Sequence, residues 1–483
     1  MTAFMPFFSA CAPRSAIEAN PTTGGFIDGV RQAELIAAGD MTSLEATELA
    51  IARTEAVNPK INAVATYGFE AARERAGTNP SGAFGGVPTF IKDLADWRGL
   101  QTLFGSRAFK GNIPDADGPL SEQWRELGLV PIGKSTSPEM GLISSTEPIV
   151  TGATRNPWNL DHIPGGSSGG AAALTAARVV PFAHASDGGG SIRIPAACCG
   201  LLGLKPSARA VPIGRTNQEG IPVEISVDLA VTHTVRDSAA LFSATARSEA
   251  LREPVTGPST KRLRIAYAPT PVTDTPLHPD VRAELDRTAE LCEALGHTVK
   301  AYNLPIDGAK FSDQFLLYWS AGAAQFAQQA AAFAEQPPSP EILEPWTLLL
   351  AQNFLARQVE MPETIAYLQN FKAVYNALFD TDEFDVLLTP TIASPAPKIG
   401  TQDPAGNLSE TMQNVLNFAA FTSPMNVAGA ASISVPLGMS QDGLPIGSMF
   451  SGRQGDDRML LALAYELEAA RPWIDRKPEV VAI

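Results

Sequence analysis

Residues 165–193 read GGSSGGAAALTAARVVPFAHASDGGGSIR. Two turns of glycine and serine bracket an alanine-rich run, 170–178, of helical composition, and an apolar run, 179–185, of strand composition. Turn, helix, strand and turn in succession form the repeating unit of an α/β fold. The alternation continues on both sides. Strands are predicted at 87–91, 129–132, 201–204, 262–268, 386–391 and 431–436, and helices at 120–127, 279–295 and 460–470. Residues 28–76 read as helical, with Thr42 and Glu45 spaced as a capping box and Pro59 as the stop. A helical, aromatic-rich region spans 311–379.

The composition narrows the function classes. The chain has 483 residues, 45% of them hydrophobic, so it can bury a large globular core. No run approaches the roughly 18 apolar residues of a membrane span. Apolar residues 1–11, interrupted by Pro6 with no basic residue before them, read as a packed or frayed leader rather than a signal. With 36 basic and 51 acidic side chains the formal charge is −15. No basic stripe is present, which argues against a nucleic-acid partner and for a neutral or non-anionic substrate. Four cysteines, two of them adjacent at Cys198 and Cys199, read as buried small hydrophobes of a reduced, cytoplasmic protein. The histidines are scattered and no C-x-x-C is present, so no metal or cofactor is expected.

Two motif matches are set aside. Gly128 to Ser135 fits G-x-x-x-x-G-K-S, but its variable residues are themselves the apolar strand, whereas a phosphate-binding loop follows its strand. Gly165 to Gly169 fits G-x-S-x-G, but no histidine follows His297, where a hydrolase of that type places one. A different device fits better. The run Gly188-Gly189-Gly190 between apolar segments can aim several N–H groups at one point, as an oxyanion hole does, and Ser191 closes that turn where a nucleophile would sit. Lys92, after Phe90-Ile91, reads alone as a surface lysine and, with the two serine turns, as a buried catalytic one.

The segments Pro88 to Leu94, Gly133-Lys134-Ser135, Thr154 to Asn159, both serine turns and Cys199 to Pro206 occur in the order found in the amidase signature family, which this chain resembles. Weaker similarity covers Val235 to Ala239, Leu388 to Thr391 and Leu444 to Ser448. The resemblance implies one domain over 1–483, with a core at 85–206, a variable helical pocket segment at 305–380, and a large twisted mixed β-sheet covered by helices on both faces. It implies Ser191 as nucleophile, Ser167 as a bridging serine after a cis peptide bond, Lys92 as base, and the N–H groups of Gly188, Gly189, Gly190 and Ser191 as the oxyanion hole. Asp187 and Arg193 would hold the turn. The family often has threonine where Gly188 stands, a departure expected to loosen the loop. A lysine serves as base only when neutral, and burial can lower its pKa from about 10.4 toward 7–8, so activity is expected to rise toward alkaline pH.

The aromatic segment shapes the substrate reading. Most of Phe311, Phe315, Tyr318, Trp319, Phe326, Phe333, Trp346 and Phe354 are expected in the core, with Phe315 and Trp319 facing substrate alongside Phe418 and Phe421. Met140, Ser144 and Ser145 belong to the stretch before Thr146 that lines substrate in relatives. The expected activity is cleavage of a small-molecule amide, anilide or carbamate (urethane) by a monomer or homodimer, with look-alikes among aryl acylamidases and nylon-oligomer hydrolases. The alternatives are a glutaminase subunit of a tRNA-amidating complex and a non-catalytic binding protein on the same scaffold.

Overall fold

The computed structural model describes residues 27–214, 221–273, 275–380 and 383–482. The expectation for residues 1–11 lies outside them. Among the described residues, eleven strands form two sheets. The smaller has the order β1 (Val64–Tyr67), β3 (Val130–Ser135), β2 (Pro88–Lys92). The larger runs β4 (Phe182–Asp187), β6 (Val227–Thr232), β5 (Leu202–Lys205), β10 (Ser432–Met439), β11 (Pro445–Ser451), β9 (Val386–Pro390), β7 (Arg264–Tyr267), β8 (Thr298–Ala301). Pairs β2–β3, β7–β8 and β7–β9 are parallel and the others antiparallel, so the architecture is mixed α/β, as expected. The large mixed sheet is the one expected, and the smaller sheet is separate from it between β2 and β4. Side chains replace the ladder there: Thr89 Oγ1 donates to the Phe182 carbonyl at 3.0 Å, and the Lys92 N–H donates to His184 Nδ1 at 3.2 Å.

Local chemistry explains where the elements start and stop. Thr42 and Glu45 form the full capping box of the helix Ser43–Ile61. That helix passes Pro59, which sits in its last turn, and ends on Asn62 in the left-handed conformation at φ 49°. Asn58 Oδ1 then accepts the N–H groups of Ala63 and Val64 at 2.7 and 3.2 Å, turning the chain into β1. This strand lies within the stretch read as continuous helix. The helix Gly169–Ala176 is buried on every side, which matches its lack of an apolar stripe. A β-carbon on Gly170 would fall 2.3 Å from Thr136 Oγ1, so the helix enters against the end of β3 only as glycine.

One hydrophobic cluster draws residues from Val30 to Val480 and takes in strands of both sheets. The aromatic region resolves into helices Gly308–Ala334, Pro345–Arg357 and Met361–Asp380. Phe311, Phe326 and Trp346 are buried there, whereas Phe333 is exposed. Cys198, Cys199 and Cys292 are free and buried, and burial pushes all three thiols up in pKa. Among the described residues, no helix is long and apolar enough to cross a membrane.

Candidate active site

Lys92 ends β2 and is fully buried. Its Nζ donates to Ser167 Oγ at 2.7 Å, to Ser186 Oγ at 2.9 Å and to the Ser186 carbonyl at 3.3 Å. The Gly166–Ser167 peptide bond is cis. Gly166 has no room for a side chain, because a β-carbon would sit 2.3 Å from the Ser145 carbonyl oxygen. Gly141 closes the other side: its β-carbon would fall 2.9 Å from Ser167 Oγ. Ser168 accepts the Ser186 N–H at 3.3 Å and donates to the Ser186 carbonyl at 3.2 Å. Ser168 and Ser186 thus join the polar network around Lys92. Sequence reasoning passed over both, although each adjoins a residue it had singled out.

The turn that carries Ser191 is built around Asp187. Arg193 clamps that carboxylate with Nε to Oδ2 and Nη2 to Oδ1, both at 2.9 Å, and both side chains are completely buried. Asn426 Nδ2 donates to Asp187 Oδ1 at 2.8 Å, and Arg193 Nη2 donates to Asn426 Oδ1 at 2.6 Å. Burial by itself would raise the Asp187 pKa, but the Arg193 charge and these hydrogen bonds outweigh it and hold the carboxyl well below the usual range. Asp187 also accepts N–H groups from Gly190 at 2.7 Å and Ile192 at 3.1 Å. The N–H of Gly190, counted toward the oxyanion hole from the sequence, is therefore committed to Asp187. The N–H groups of Gly188, Gly189 and Ser191 are left for that role. Gly190 adopts φ 137°, a glycine conformation, and its missing β-carbon makes way for Thr422 Oγ1.

His184 lies behind Lys92. Its Nδ1 accepts the Lys92 N–H, so its Nε2 carries the proton and donates to Asp228 Oδ1 at 2.9 Å. Burial, opposed by the Asp228 hydrogen bond, lowers its pKa. Lys134, from the rejected phosphate-loop match, is buried in β3 and donates to the Ala95 carbonyl and, at 3.0 Å, to Thr102 Oγ1. Asp93 beside it accepts the N–H groups of Leu103 and Gly105 at 2.8 and 2.9 Å. Both residues brace the loop after β2.

Ser191 opens into a cleft whose empty space, counting the part open to solvent, is about 770 Å³. Gly189, Ser144, Phe315, Trp319 and Trp346 are among its walls. Its described lining includes serines and a threonine but no Asp, Glu, Lys, Arg or His. The other substrate candidates lie elsewhere. Ser145 is buried with Oγ donating to the Gln402 carbonyl at 3.2 Å, Met140 packs beneath the cleft with its N–H on the Phe104 carbonyl at 2.8 Å, and Phe418 is in the core. Phe421 faces a neighbouring cavity with Thr270 and Asn303.

A profile of the amidase family matches residues 45–461. The chain belongs to the amidase family. This amidase is 39% identical over 454 residues to a putative amidase AmiC of Mycobacterium leprae, covering 93% of this chain and 96% of that one. Among solved structures it is similar to a 6-aminohexanoate cyclic dimer hydrolase complexed with substrate, with a TM-score of 0.86 and 30% identity, covering 94% of this chain and 99% of the other. A bacterial aryl acylamidase of the amidase signature family superimposes with a TM-score of 0.80 at 25% identity, covering 93% and 98%. The chain is thus an amidohydrolase, and the reading as a non-catalytic scaffold is not carried further. Among the described residues of this amidase, no group of three or more His, Cys, Asp or Glu is placed to hold a metal ion.

Proposed function

We propose that this amidase cleaves the C–N bond of neutral, hydrophobic amides, anilides or carbamates through an acyl-enzyme on Ser191. The observation that carries the mechanism is the 2.7 Å hydrogen bond from Lys92 Nζ to Ser167 Oγ. Neutral Lys92 takes the Ser167 proton while Ser167 takes that of Ser191, whose oxygen attacks the carbonyl carbon. The N–H groups of Gly188, Gly189 and Ser191 receive the developing oxyanion. The proton then returns along the same path to the leaving nitrogen, and water hydrolyses the acyl-enzyme. A carbamate follows the same course and loses carbon dioxide after hydrolysis. Asp187 and Arg193 keep the turn in shape.

The uncharged cleft supports the substrate class. Glutamine would bring a carboxylate and an ammonium, and burying either without a partner is costly. The described lining has no charged side chain to meet them, which weighs against the glutaminase-subunit reading. The names of the similar proteins, a cyclic-dimer hydrolase and an aryl acylamidase, fit substrates without free charged ends. The proposal includes one domain over 1–483, supported by the hydrophobic cluster from Val30 to Val480, and a monomer or homodimer. Cytoplasmic placement fits three free, buried cysteines.

The test is product release by mass spectrometry from anilides, aliphatic amides, aryl carbamates and glutamine, with wild type and Ser191→Ala. Turnover of anilides or carbamates that disappears in the variant supports the proposal. Turnover of glutamine alone refutes the substrate class, and activity that survives in Ser191→Ala refutes the mechanism.

A further inference from the structure

One face of the Ser191 turn is covered by aromatic rings. A β-carbon on Gly188 would lie 3.1 Å from Trp319 Cζ3 and 3.3 Å from Cη2, and one on Gly189 would lie 3.3 Å from Phe315 Cζ. Phe315 and Trp319 sit one turn apart on the helix Gly308–Ala334 and stack at 5.7 Å between centroids with 30° between planes. The indole is also held from the far side, because Trp319 Nε1 donates to the Leu142 carbonyl at 3.1 Å. Trp346 Nε1 donates to the same oxygen at 3.1 Å. Gly190 has a positive φ, but Gly188 and Gly189 do not. Backbone conformation therefore does not demand glycine at 188, whereas a side chain there would press on the indole unless the ring shifted by a few tenths of an ångström.

We propose that Trp319 is a specificity-determining residue of this amidase, and that glycine at 188 serves to seat its ring against the nucleophile turn. The inference rests on the neutral-amide reading of the same cleft. The indole packs against the Gly188–Gly189 backbone and lines the cleft that Ser191 opens into, so an acyl group held at Ser191 meets the ring. Flat aryl groups and unbranched methylene chains pack there. A branch at the carbon next to the carbonyl meets the ring. One misplaced methyl in an apolar pocket is worth about tenfold or more in kcat/KM.

The experiment compares wild type, Gly188→Val, Trp319→Ala and the double variant, with Gly188→Ala and Trp319→Phe as milder versions should the larger changes unfold. Two ratios are read: kcat/KM for isobutyryl over butyryl anilide, and the rate of Ser191 sulfonylation by 2-propanesulfonyl over methanesulfonyl fluoride, followed by intact mass. Trp319→Ala is expected to raise both ratios about tenfold. Gly188→Val is expected to lower butyryl-anilide kcat/KM about tenfold, and adding Trp319→Ala to bring it within about threefold of Trp319→Ala alone. Unchanged ratios in Trp319→Ala, or a double variant no better than Gly188→Val, overturn the proposal. If wild type cleaves neither anilide but Ser191 is sulfonylated, the substrate class fails by itself and the sulfonylation ratios decide the seat. If Ser191 is not sulfonylated at all, both fall.

Discussion

The backbone N–H of Lys92 donates to the His184 ring at 3.2 Å, and with the Thr89 bond to Phe182 it ties the lysine strand to the strand that leads into the Ser191 turn. The two strands share no backbone ladder. The position of the lysine amine relative to Ser167 thus depends on an imidazole that Asp228 orients from behind.

His184→Leu removes the acceptor for Lys92 and leaves Asp228 without its imidazole partner. A buried polar group deprived of its partner costs about 1–3 kcal/mol. We expect urea denaturation to show a loss of that size. We also expect kcat to fall about tenfold with KM nearly unchanged, because the change displaces the proposed base, Lys92, and not the cleft. A fall in stability with kcat intact would reduce His184 to a packing role.

Removing Ser191, Ser167 or Lys92 should each abolish most activity, since groups acting in one proton path do not contribute separately. Ser191→Ala, Ser167→Ala and Lys92→Met are each expected to lower kcat on the order of 10³-fold or more, and the double variants scarcely further. Steady-state kinetics on the best anilide measures this. Additive losses in the double variants would separate Lys92 from the serines.

Arg193→Met leaves the Asp187 carboxylate buried without its counter-charge. Breaking a buried pair by removing one partner costs about 3–5 kcal/mol. The variant should melt at a markedly lower temperature by calorimetry, and activity should fall even where it is folded, because Asp187 also holds the Gly190 and Ile192 N–H groups. A melting temperature equal to wild type would contradict this account of the turn.

A pair of buried carboxylates joins the cleft loop to the helix Pro345–Arg357. Glu139 accepts the Glu344 N–H at 2.8 Å and the Thr347 hydroxyl, and Glu344 accepts the Ile149 N–H at 2.8 Å. Burial and the neighbouring Glu139 carboxylate raise the Glu344 pKa above its ordinary 4.5. A folded-state pKa above the unfolded one means that the fold holds the proton more tightly. Stability is therefore lost as pH rises from 4.5 through the raised value, and is retained below. Glu344→Gln should flatten that decline in a series of melting temperatures against pH. An unchanged slope would place the titration elsewhere.

Much of the site could be read in the chain. Lys92, Ser167 and Ser191 stand in segments whose glycines, serines and flanking apolar runs allow few other uses, and the Thr42–Glu45 cap and most strands follow from local periodicity. Four strands, β1, β6, β8 and β11, escaped it. β1 was hidden in a helical stretch because the turn before it is made by the Asn58 side chain. The outward neighbours of Lys92 were also hidden. Ser186 and His184 alternate along β4, and only the meeting of β4 with β2 reveals which face they present.

The sequence by itself determined the α/β class, the family motifs and the residue types gathered at the candidate site, because helix and strand periods and glycine turns are local properties of the chain. The tertiary structure alone decided that Asp187 takes the Gly190 N–H, that His184 backs Lys92, and that Trp319, rather than Phe418 or Phe421, lines the cleft with Ser191. Apolar periodicity records that a ring is buried. It does not record what the ring is buried against, since that partner lies more than a hundred residues away and is set by how the sheets and helices pack.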